Sequence, residues 1–377
     1  MSKMNKLLRT LIAVGVLAGS MAPAHATDLK VSLYWGPKSP IVIGGYKPFV
    51  ESLEADKASD LKVRMFTGGA LLDAKATLPG LRSGIADVGT LAMTYFPAEL
   101  PASQLVADLA MMGSDSVAAA AAVTEYMLMH CEPCRNDWQK MGLVLTSAYS
   151  TTPYLIISKT RVETVDDLKG KKIRSPGGVW DRWVESVGAV PVNVSSSEMY
   201  EAFNRGVVDM VIHTPAALKS VNLGDFAKYV VKVPLGTYHA LSAGTYNAKT
   251  WKGLSDAQRK AIFERLSILV VGISDQYRVQ DVEAEEIYGK KGVSISAPSA
   301  ALKQQVAEFR KADMASIVAD AKGKYGIANP EAEIATMEKL FAKWDQLIAP
   351  VAGDRARMQA IVRSEIYDKL DPTTFGM

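Results

Sequence analysis

The sequence predicts an α/β protein built of two similar lobes, and three observations support this prediction. The chain has 377 residues, which is more than one hydrophobic core usually holds. Apolar residues make up 48% of it and charged residues 22%, a balance that is typical of globular proteins and excludes a disordered chain. Short strand-like stretches alternate with helix-like ones, and one helix-to-strand unit occurs twice.

The first 26 residues show the three regions of a secretory signal peptide. Lys3, Lys6 and Arg9 precede an apolar run over residues 11–18, and Ala24-His25-Ala26 provides a small-x-small cleavage site. A membrane anchor is the alternative, but it needs about 20 apolar residues. We therefore predict cleavage after Ala26 and a periplasmic mature protein.

The formal net charge of +3 lies entirely in this leader, which holds three basic residues and no acidic one. The exported part is therefore formally neutral. Neutrality argues against nucleic acid and against an anionic membrane surface as partners. No second long apolar stretch follows, so we expect a soluble mature chain.

The elements predicted after the leader alternate in type. An alternating strand covers residues 29–35, a helix pattern covers 46–55, and a second strand covers 61–66. Further helix patterns cover 73–82, 116–129, 179–187, 195–205, 256–290, 299–322 and 330–348. Further strand patterns cover 143–148, 153–158, 172–174, 210–213 and 240–246. Alternation of this kind indicates a largely parallel sheet with helices on its faces.

The repeated unit suggests that the two lobes resemble each other. Leu81–Asp87 and Phe203–Asp209 each contain an apolar residue, two polar residues, a glycine, two aliphatic residues and an aspartate. A glycine that ends a helix can adopt the left-handed conformation. We expect the two aliphatic residues to begin a short buried strand that the aspartate closes. Coincidence is the alternative, because helix-Gly-strand junctions are common.

The two cysteines, Cys131 and Cys134, can be bridged after export. A thioredoxin-like redox site would place them at the start of a helix, whereas here they follow a helix pattern. A zinc site is weakly supported, because the whole chain has only four histidines. We therefore expect a disulfide that staples a helix exit and has a small effect on stability.

Motifs of common enzyme classes are missing from the sequence. It contains no phosphate-binding loop, no dinucleotide fingerprint, no nucleophile elbow and no zinc-protease helix. The histidines beyond the leader, His130, His213 and His239, are too sparse for a catalytic triad or a metal cluster. The sequence thus predicts a binding protein without cofactor or metal, with its ligand in a cleft between the lobes.

The segment Asp166–Arg174 resembles the solute-binding proteins of TRAP (tripartite ATP-independent periplasmic) transporters. Their pattern there is Asp-Leu-Lys-Gly-x-Lys-Ile/Leu-Arg. Matching stretches occur in the same order from about residue 28 to residue 325, and they include Gly68–Leu72, Arg82–Asp87, Gly188–Pro191, Glu198–Asp209 and Asn247–Trp251.

This resemblance implies a periplasmic-binding-protein-like fold whose lobes are joined by crossing strands and a long helix. Lobe 1 is expected to comprise residues 27–151 and about 240–279, and lobe 2 residues 152–239 and about 280–330. A helical extension over residues 331–377 either packs on the body or forms a homodimer. A small organic acid and the membrane subunits of a TRAP transporter are the implied partners.

The resemblance also implies the residue that binds the carboxylate. In the family, the arginine that ends the Lys-Gly-x-Lys-Ile-Arg strand pairs with the ligand, and Arg174 occupies this position. A guanidinium group matches a carboxylate with two parallel hydrogen bonds. Without the resemblance, a surface arginine at a strand end is the simpler interpretation. Many relatives carry a second arginine about twenty residues earlier, where this chain has Tyr154.

Other pocket positions of the family carry aromatic or apolar residues here. The polar tip of the first strand corresponds to Tyr34 and Trp35, and an asparagine of the family to His213. An acidic or polar residue shortly after Asp87 corresponds to Ala92 and Met93. Further candidates for ligand binding are Gly177, Trp180, Ser196 and Tyr238. We therefore expect a monocarboxylate with a hydrophobic or aromatic body rather than a dicarboxylate or a polyol acid.

Several alternatives stay open at this stage. Trp180 fits a core stripe as well as a pocket, and His213 fits a pH-dependent role as well as a strand-end hydrogen bond. Gly177 could let backbone N–H groups approach an anion. A secreted hydrolase or isomerase on a bilobal fold is the alternative function, and it would need His213 or Tyr154 to act beside Arg174. A sensor or chaperone that uses the cysteines is a third possibility.

Overall fold

The computed structural model describes residues 27–377, and the predicted signal peptide lies outside the described residues. The strands are β1 (Thr27–Ser32), β2 (Leu61–Phe66), β3 (Val88–Ala92), β4 (Leu143–Tyr149), β5 (Leu155–Ser158), β6 (Lys172–Ser175), β7 (Val190–Asn193), β8 (Met210–His213), β9 (Tyr229–Val231), β10 (Leu241–Asn247) and β11 (Ser294–Ser296).

The α-helices of the same residues are α1 (Lys47–Ala55), α2 (Thr77–Arg82), α3 (Ser103–Asp108), α4 (Ser116–Glu125), α5 (Glu132–Lys140), α6 (Val179–Ser186), α7 (Met199–Asn204), α8 (Ala217–Ser220), α9 (Ala248–Gly253), α10 (Asp256–Phe263), α11 (Leu266–Lys290), α12 (Ala300–Gly323), α13 (Pro330–Ile348) and α14 (Arg355–Glu365). No helix in residues 27–377 has both the length and the apolar character needed to cross a membrane.

Two sheets form the centres of the two lobes. The first sheet has the strand order β2-β1-β3-β10-β4, and the second has the order β11-β9-β5-β8-β6-β7. Within the first sheet only β10 runs antiparallel to the other strands, and within the second only β5 does. The predicted α/β fold is confirmed, and each largely parallel sheet contains one reversed strand.

The reversed strands follow from the path of the chain between the lobes. The chain leaves the first sheet after β4 and enters the second as β5, and it returns between β9 and β10. A strand that enters from the other lobe begins at the edge where its neighbours end, so it must run antiparallel to them. The two crossing segments also bond to each other, since Tyr154 N donates to Gly236 O at 2.7 Å and Thr151 N donates to Tyr238 O at 3.0 Å.

The repeated helix-to-strand unit has the same structure in both lobes. Gly84 and Gly206 have φ angles of 78° and 72°, in the left-handed region that favours glycine. Asp87 Oδ2 accepts from Lys30 N on β1, and Asp209 Oδ2 accepts from Lys172 N on β6, each at 2.9 Å. The expected order of the unit was wrong in one detail, because each aspartate precedes its strand rather than closing it. The first aliphatic residues, Ile85 and Val207, are correspondingly exposed.

The long helix α11 contacts both lobes. Its first half packs on β4 and on the helical turns Ile41–Tyr46, and its second half packs on α8 and β11. The backbone of Gly272 approaches Gly44 so closely that a Cβ atom on Gly44 would lie 2.2 Å from Gly272 O. The single helix predicted over residues 256–290 is two helices in the structure, α10 and α11. The lobe boundaries given above stay a prediction.

The C-terminal extension packs on the first lobe. Helix α13 lies along α4, and Trp344 Nε1 donates to Glu125 Oε2 at 2.7 Å. Met337, Leu340 and Phe341 of the same helix are buried against the body. The apolar face that a homodimer would need is thus already covered within the chain, which favours the packing alternative.

The cysteines form the expected disulfide, but its surroundings differ from the prediction. Cys131 follows the helical run that ends at His130, and it also caps the start of α5, where its Sγ accepts from Cys134 N at 3.1 Å. The pair therefore lies at a helix start as well as at a helix exit. Sequence patterns missed α5, which has Pro133 in its first turn, a favoured position. Both cysteines are buried, and this burial is what opposes thiol exchange.

Candidate functional site

A cavity lies between the two sheets, at the carboxyl ends of their parallel strands. This edge is where ligands bind in open α/β sheets. Its volume is about 10 Å³, which is room for about one water molecule. The residues that line it are Tyr34, Trp35, Ala92, Tyr95, Thr151, Tyr154, Arg174, Ser196, His213, Tyr238, Leu241 and Tyr277.

Arg174 is the central polar residue of this cavity, and its own lobe holds it in place. It lies on β6 between β7 and β8, and only 1% of its surface is exposed. Its Nε donates to Val194 O at 2.9 Å, and its Nη1 donates to Ile212 O at 3.3 Å. These two backbone acceptors fix the plane of the guanidinium group and leave its Nη2 edge directed at the first lobe.

The charge of Arg174 has no carboxylate partner. In residues 27–377, no acidic side chain lies within 4.0 Å of its guanidinium nitrogens. Two other arginines show the contrast: Arg182 pairs with Asp108 at 2.9 Å and with Asp313 at 2.7 Å, and the buried Arg259 pairs with Asp256. A buried positive charge without an opposite charge beside it is unfavourable, so an anion bound at Arg174 would balance it.

Tyr95 reaches across from the first lobe to this group. Its hydroxyl oxygen accepts from Arg174 Nη2 at 3.1 Å and from Ser196 N at 3.0 Å. Tyr95 is not one of the residues predicted for this position, which were Ala92 and Met93. A single helical turn follows β3 and directs Tyr95 into the cavity, whereas Met93 is fully buried and its carbonyl accepts from Gln104 Nε2.

Aromatic side chains form most of the cavity wall. The ring of Tyr154 stacks on His213 with centroids 5.1 Å apart and contacts Tyr238 at 5.7 Å. Trp35 meets His213 edge to face at 6.2 Å, and Tyr34 lies beside Trp35. Burial raises the pKa of Tyr154, so the side chain at the position of the family's second arginine is a neutral phenol.

His213 is neutral in this site. Burial, followed by the nearby charge of Arg174, lowers its pKa to about 3. Its Nδ1 accepts from Thr214 N at 2.8 Å, which places the ring proton on Nε2. The side chain therefore does not titrate between pH 5 and 8, and the strand-end hydrogen bond describes it better than a pH-dependent role. A base this weak also gives no support to the hydrolase or isomerase alternative.

Three polar atoms of the cavity wall have no hydrogen-bond partner among the described residues. They are Tyr34 Oη, Trp35 Nε1 and Ser196 Oγ, and all are buried. A buried polar group without a partner costs about 1–3 kcal/mol. These atoms are therefore hydrogen-bonding groups of the cavity wall that the described residues leave unused.

Two other residues predicted to bind the ligand, Trp180 and Gly177, do not line the cavity. Trp180 donates from Nε1 to Leu235 O at 2.9 Å and packs behind Tyr154 and Tyr238, so it supports the wall from the core. Gly177 lies at a contact between the lobes, where an added Cβ would meet Thr94 at 3.5 Å. The helix start beyond it faces the carboxylate of Asp108 rather than the cavity.

The cavity also includes residues that no sequence motif singled out. Thr151 comes from the first crossing segment and Leu241 begins β10, so the path of the chain between the lobes places them here. Tyr277 projects from α11, and only the packing of that helix could reveal which of its faces meets the cleft. Ala92, which was predicted together with Met93, ends β3 and does line the cavity.

Comparisons with known proteins agree with this architecture. A model of the family described as bacterial extracellular solute-binding protein, family 7, matches residues 31–320. A solute-binding protein of Albidiferax ferrireducens is 22% identical over 301 residues, which cover 75% of this chain and 84% of that protein.

Two solved structures show the same fold. A TRAP periplasmic solute-binding protein of Bordetella bronchiseptica with bound (R)- and (S)-mandelate has a TM-score of 0.75 at 20% identity, covering 85% of this chain and 100% of that one. A TRAP solute-binding protein of Rhodoferax ferrireducens T118 in complex with benzoate has a TM-score of 0.76 at 17% identity, covering 85% and 99%.

The family match includes every strand of both sheets except the first four residues of β1, together with both crossing segments and the arginine-containing strand β6. The family consists of solute receptors rather than enzymes. The chain therefore belongs to the solute-binding proteins of TRAP transporters, the bacterial extracellular solute-binding protein family 7.

Proposed function

We propose that this protein is a periplasmic receptor that captures a monocarboxylate with an aromatic or hydrophobic body and delivers it to the membrane subunits of a TRAP transporter. The single observation that carries the proposal is the buried guanidinium group of Arg174, which has no acidic partner and is surrounded by aromatic rings. One fixed cation in an apolar wall is complementary to one carboxylate on an apolar body.

The number of charges in the cavity argues for a single carboxylate. Apart from Arg174, no lining residue is cationic, because His213 is neutral and the remaining side chains are uncharged. The second carboxylate of a diacid would lose its hydration without gaining a charged partner, which is costly in a buried site. The flat rings of Tyr154 and Trp35 would instead pack on an aromatic body.

The relatives described above are compatible with this ligand class. Mandelate and benzoate, found in the two solved structures, are both aromatic monocarboxylates. Proteins of the same fold can therefore bind this type of ligand, although their identity to this chain is low.

Binding must involve a change in the separation of the lobes. A cavity of about 10 Å³ is smaller than a benzoate ring, so the ligand can enter only when the lobes open. Closure then removes water from the carboxylate and strengthens its hydrogen bonds to Arg174. A hinge of two crossing segments and one long helix suits this type of domain closure.

The proposal is tested by calorimetric titration with matched ligands. We expect benzoate or mandelate to bind and benzamide, which has the same ring without the charge, to bind at least about 100-fold more weakly. Succinate tests the dicarboxylate alternative. Arg174→Gln should remove most of the benzoate affinity, and Arg64→Gln, at an exposed site, serves as the control. Tighter binding of succinate than of any monocarboxylate would contradict the proposal.

A further inference from the structure

We infer that Tyr95 is a built-in competitor of the ligand, whose hydroxyl oxygen occupies the position of a carboxylate oxygen and stabilises the closed arrangement of the lobes while no ligand is bound. This inference rests on the proposed function, because it assumes that the carboxylate binds at Arg174.

The hydrogen bonds of Tyr95 support this role. Its oxygen accepts from one cationic donor, Arg174 Nη2 at 3.1 Å, and from one backbone donor, Ser196 N at 3.0 Å. Both donors belong to the second lobe, whereas Tyr95 follows β3 of the first. A carboxylate oxygen can accept hydrogen bonds from two N–H donors that converge on it in this way.

A carboxylate would gain more from this position than the phenol does. Hydrogen bonds with an ionised acceptor are about twice as strong as those with a neutral one. Ser196 Oγ, which is buried without a partner beside the same N–H group, could donate a further hydrogen bond to the second carboxylate oxygen. A neutral ligand gains no comparable advantage over Tyr95, so the competition favours anions.

Thr94, the residue before Tyr95, holds the backbone in place while the Tyr95 ring rotates away. Thr94 Oγ1 donates to Pro176 O of the second lobe at 2.6 Å. In the closed arrangement this contact fixes the turn that carries Tyr95, so once the lobes have opened and closed again on a ligand, rotation of the tyrosine side chain is sufficient to leave the position to the carboxylate.

The competition predicts the effect of Tyr95→Phe, which keeps the ring and removes the hydroxyl. Ligand binding no longer has to displace the two hydrogen bonds, so we expect the Kd for benzoate to fall by about 3- to 30-fold. Tyr126→Phe is the matched control, because Tyr126 bonds to Glu333 far from the cavity, and its benzoate affinity should equal that of the wild type. Unchanged or weaker benzoate binding by Tyr95→Phe would overturn the inference.

A second measurement needs no ligand. Small-angle X-ray scattering of the ligand-free protein should give a larger radius of gyration for Tyr95→Phe than for the wild type, because the variant loses two contacts between the lobes. Equal radii would overturn the inference even if no tested acid binds. Loss of benzoate binding by the wild type, or its independence of Arg174, would instead contradict the proposed function.

Discussion

At the scale of single residues, the orientation of Arg174 does not depend on a ligand. Two of its donors are bonded to the carbonyls of Val194 and Ile212, which belong to the same lobe. The guanidinium plane is therefore fixed without a ligand, and binding of the proposed carboxylate would cost less conformational entropy. Its fork geometry, in addition to its charge, should contribute to the affinity.

Arg174→Lys separates these two contributions. The ammonium group keeps the positive charge but cannot form two parallel hydrogen bonds and cannot retain both backbone contacts. We expect the benzoate affinity to fall by about 10- to 100-fold in calorimetric titration. Arg64→Lys at the surface is the matched control and should bind as the wild type does. Full affinity of Arg174→Lys would show that charge alone is recognised.

At the scale of secondary-structure elements, one carboxylate connects the long helix with the hinge and the second lobe. Asp281 on α11 accepts from Thr152 Oγ1 of the first crossing segment and from Ala216 N, next to α8, at 2.7 Å. Burial raises its pKa to about 7, and the two hydrogen bonds oppose this shift. Nearby Glu285 raises the pKa further, and Lys232 lowers it.

Asp281 should make the protein less stable as the pH rises. Its pKa is higher in the folded chain than the ordinary 3.8, so the folded state holds the proton more tightly between about pH 4 and pH 7. The free energy of unfolding therefore decreases across this window. Asp281→Asn cannot ionise, and its amide can still accept from Ala216 N and donate to Thr152.

We expect the melting temperature of Asp281→Asn, relative to that of the wild type, to rise by at least about 2 °C between pH 5 and pH 8. Calorimetric unfolding at both pH values measures this difference. Asp166→Asn, at an exposed carboxylate, should show no such trend. The same difference at both pH values would rule out titration of Asp281 in this range.

At the scale of the whole molecule, charge attraction is local. The part of the chain after the predicted signal peptide is formally neutral, and the cation of the cavity is buried. Salt screens exposed charges over about 10 Å at 0.1 M but affects buried pairs much less. Long-range attraction would therefore contribute little to the capture of the proposed anionic ligand.

The affinity for benzoate should accordingly depend little on salt. We predict that its Kd changes by less than about threefold between about 20 mM and about 300 mM NaCl, measured by titration at constant pH. The benzoate Kd of Arg174→Lys, measured over the same range of NaCl concentration, is the control for salt screening of the charge within the cavity. A Kd that rises about tenfold would indicate attraction by surface charges.

The strand-end position of Arg174 could be predicted because a contiguous motif carries it and because a strand has a simple period. Tyr154 could be placed because it lies about twenty residues before Arg174, where many relatives carry a second arginine. Tyr238 could be placed because it lies near the expected crossing between the lobes. The position of Tyr95 could not be predicted, because the turn after β3 changes the direction of successive side chains. Tyr277 was missed because the face of α11 that meets the cleft depends on packing between distant segments.

The insertion of β10 between β3 and β4 also has a consequence for the order of folding. These two strands precede residue 150, yet each forms its ladder with a strand that begins at Leu241. A chain that is synthesised only as far as β9 leaves both strands without their common neighbour, so the first lobe cannot complete its sheet. Pairing over such distances makes folding slow, and it delays the first lobe until the second has been made.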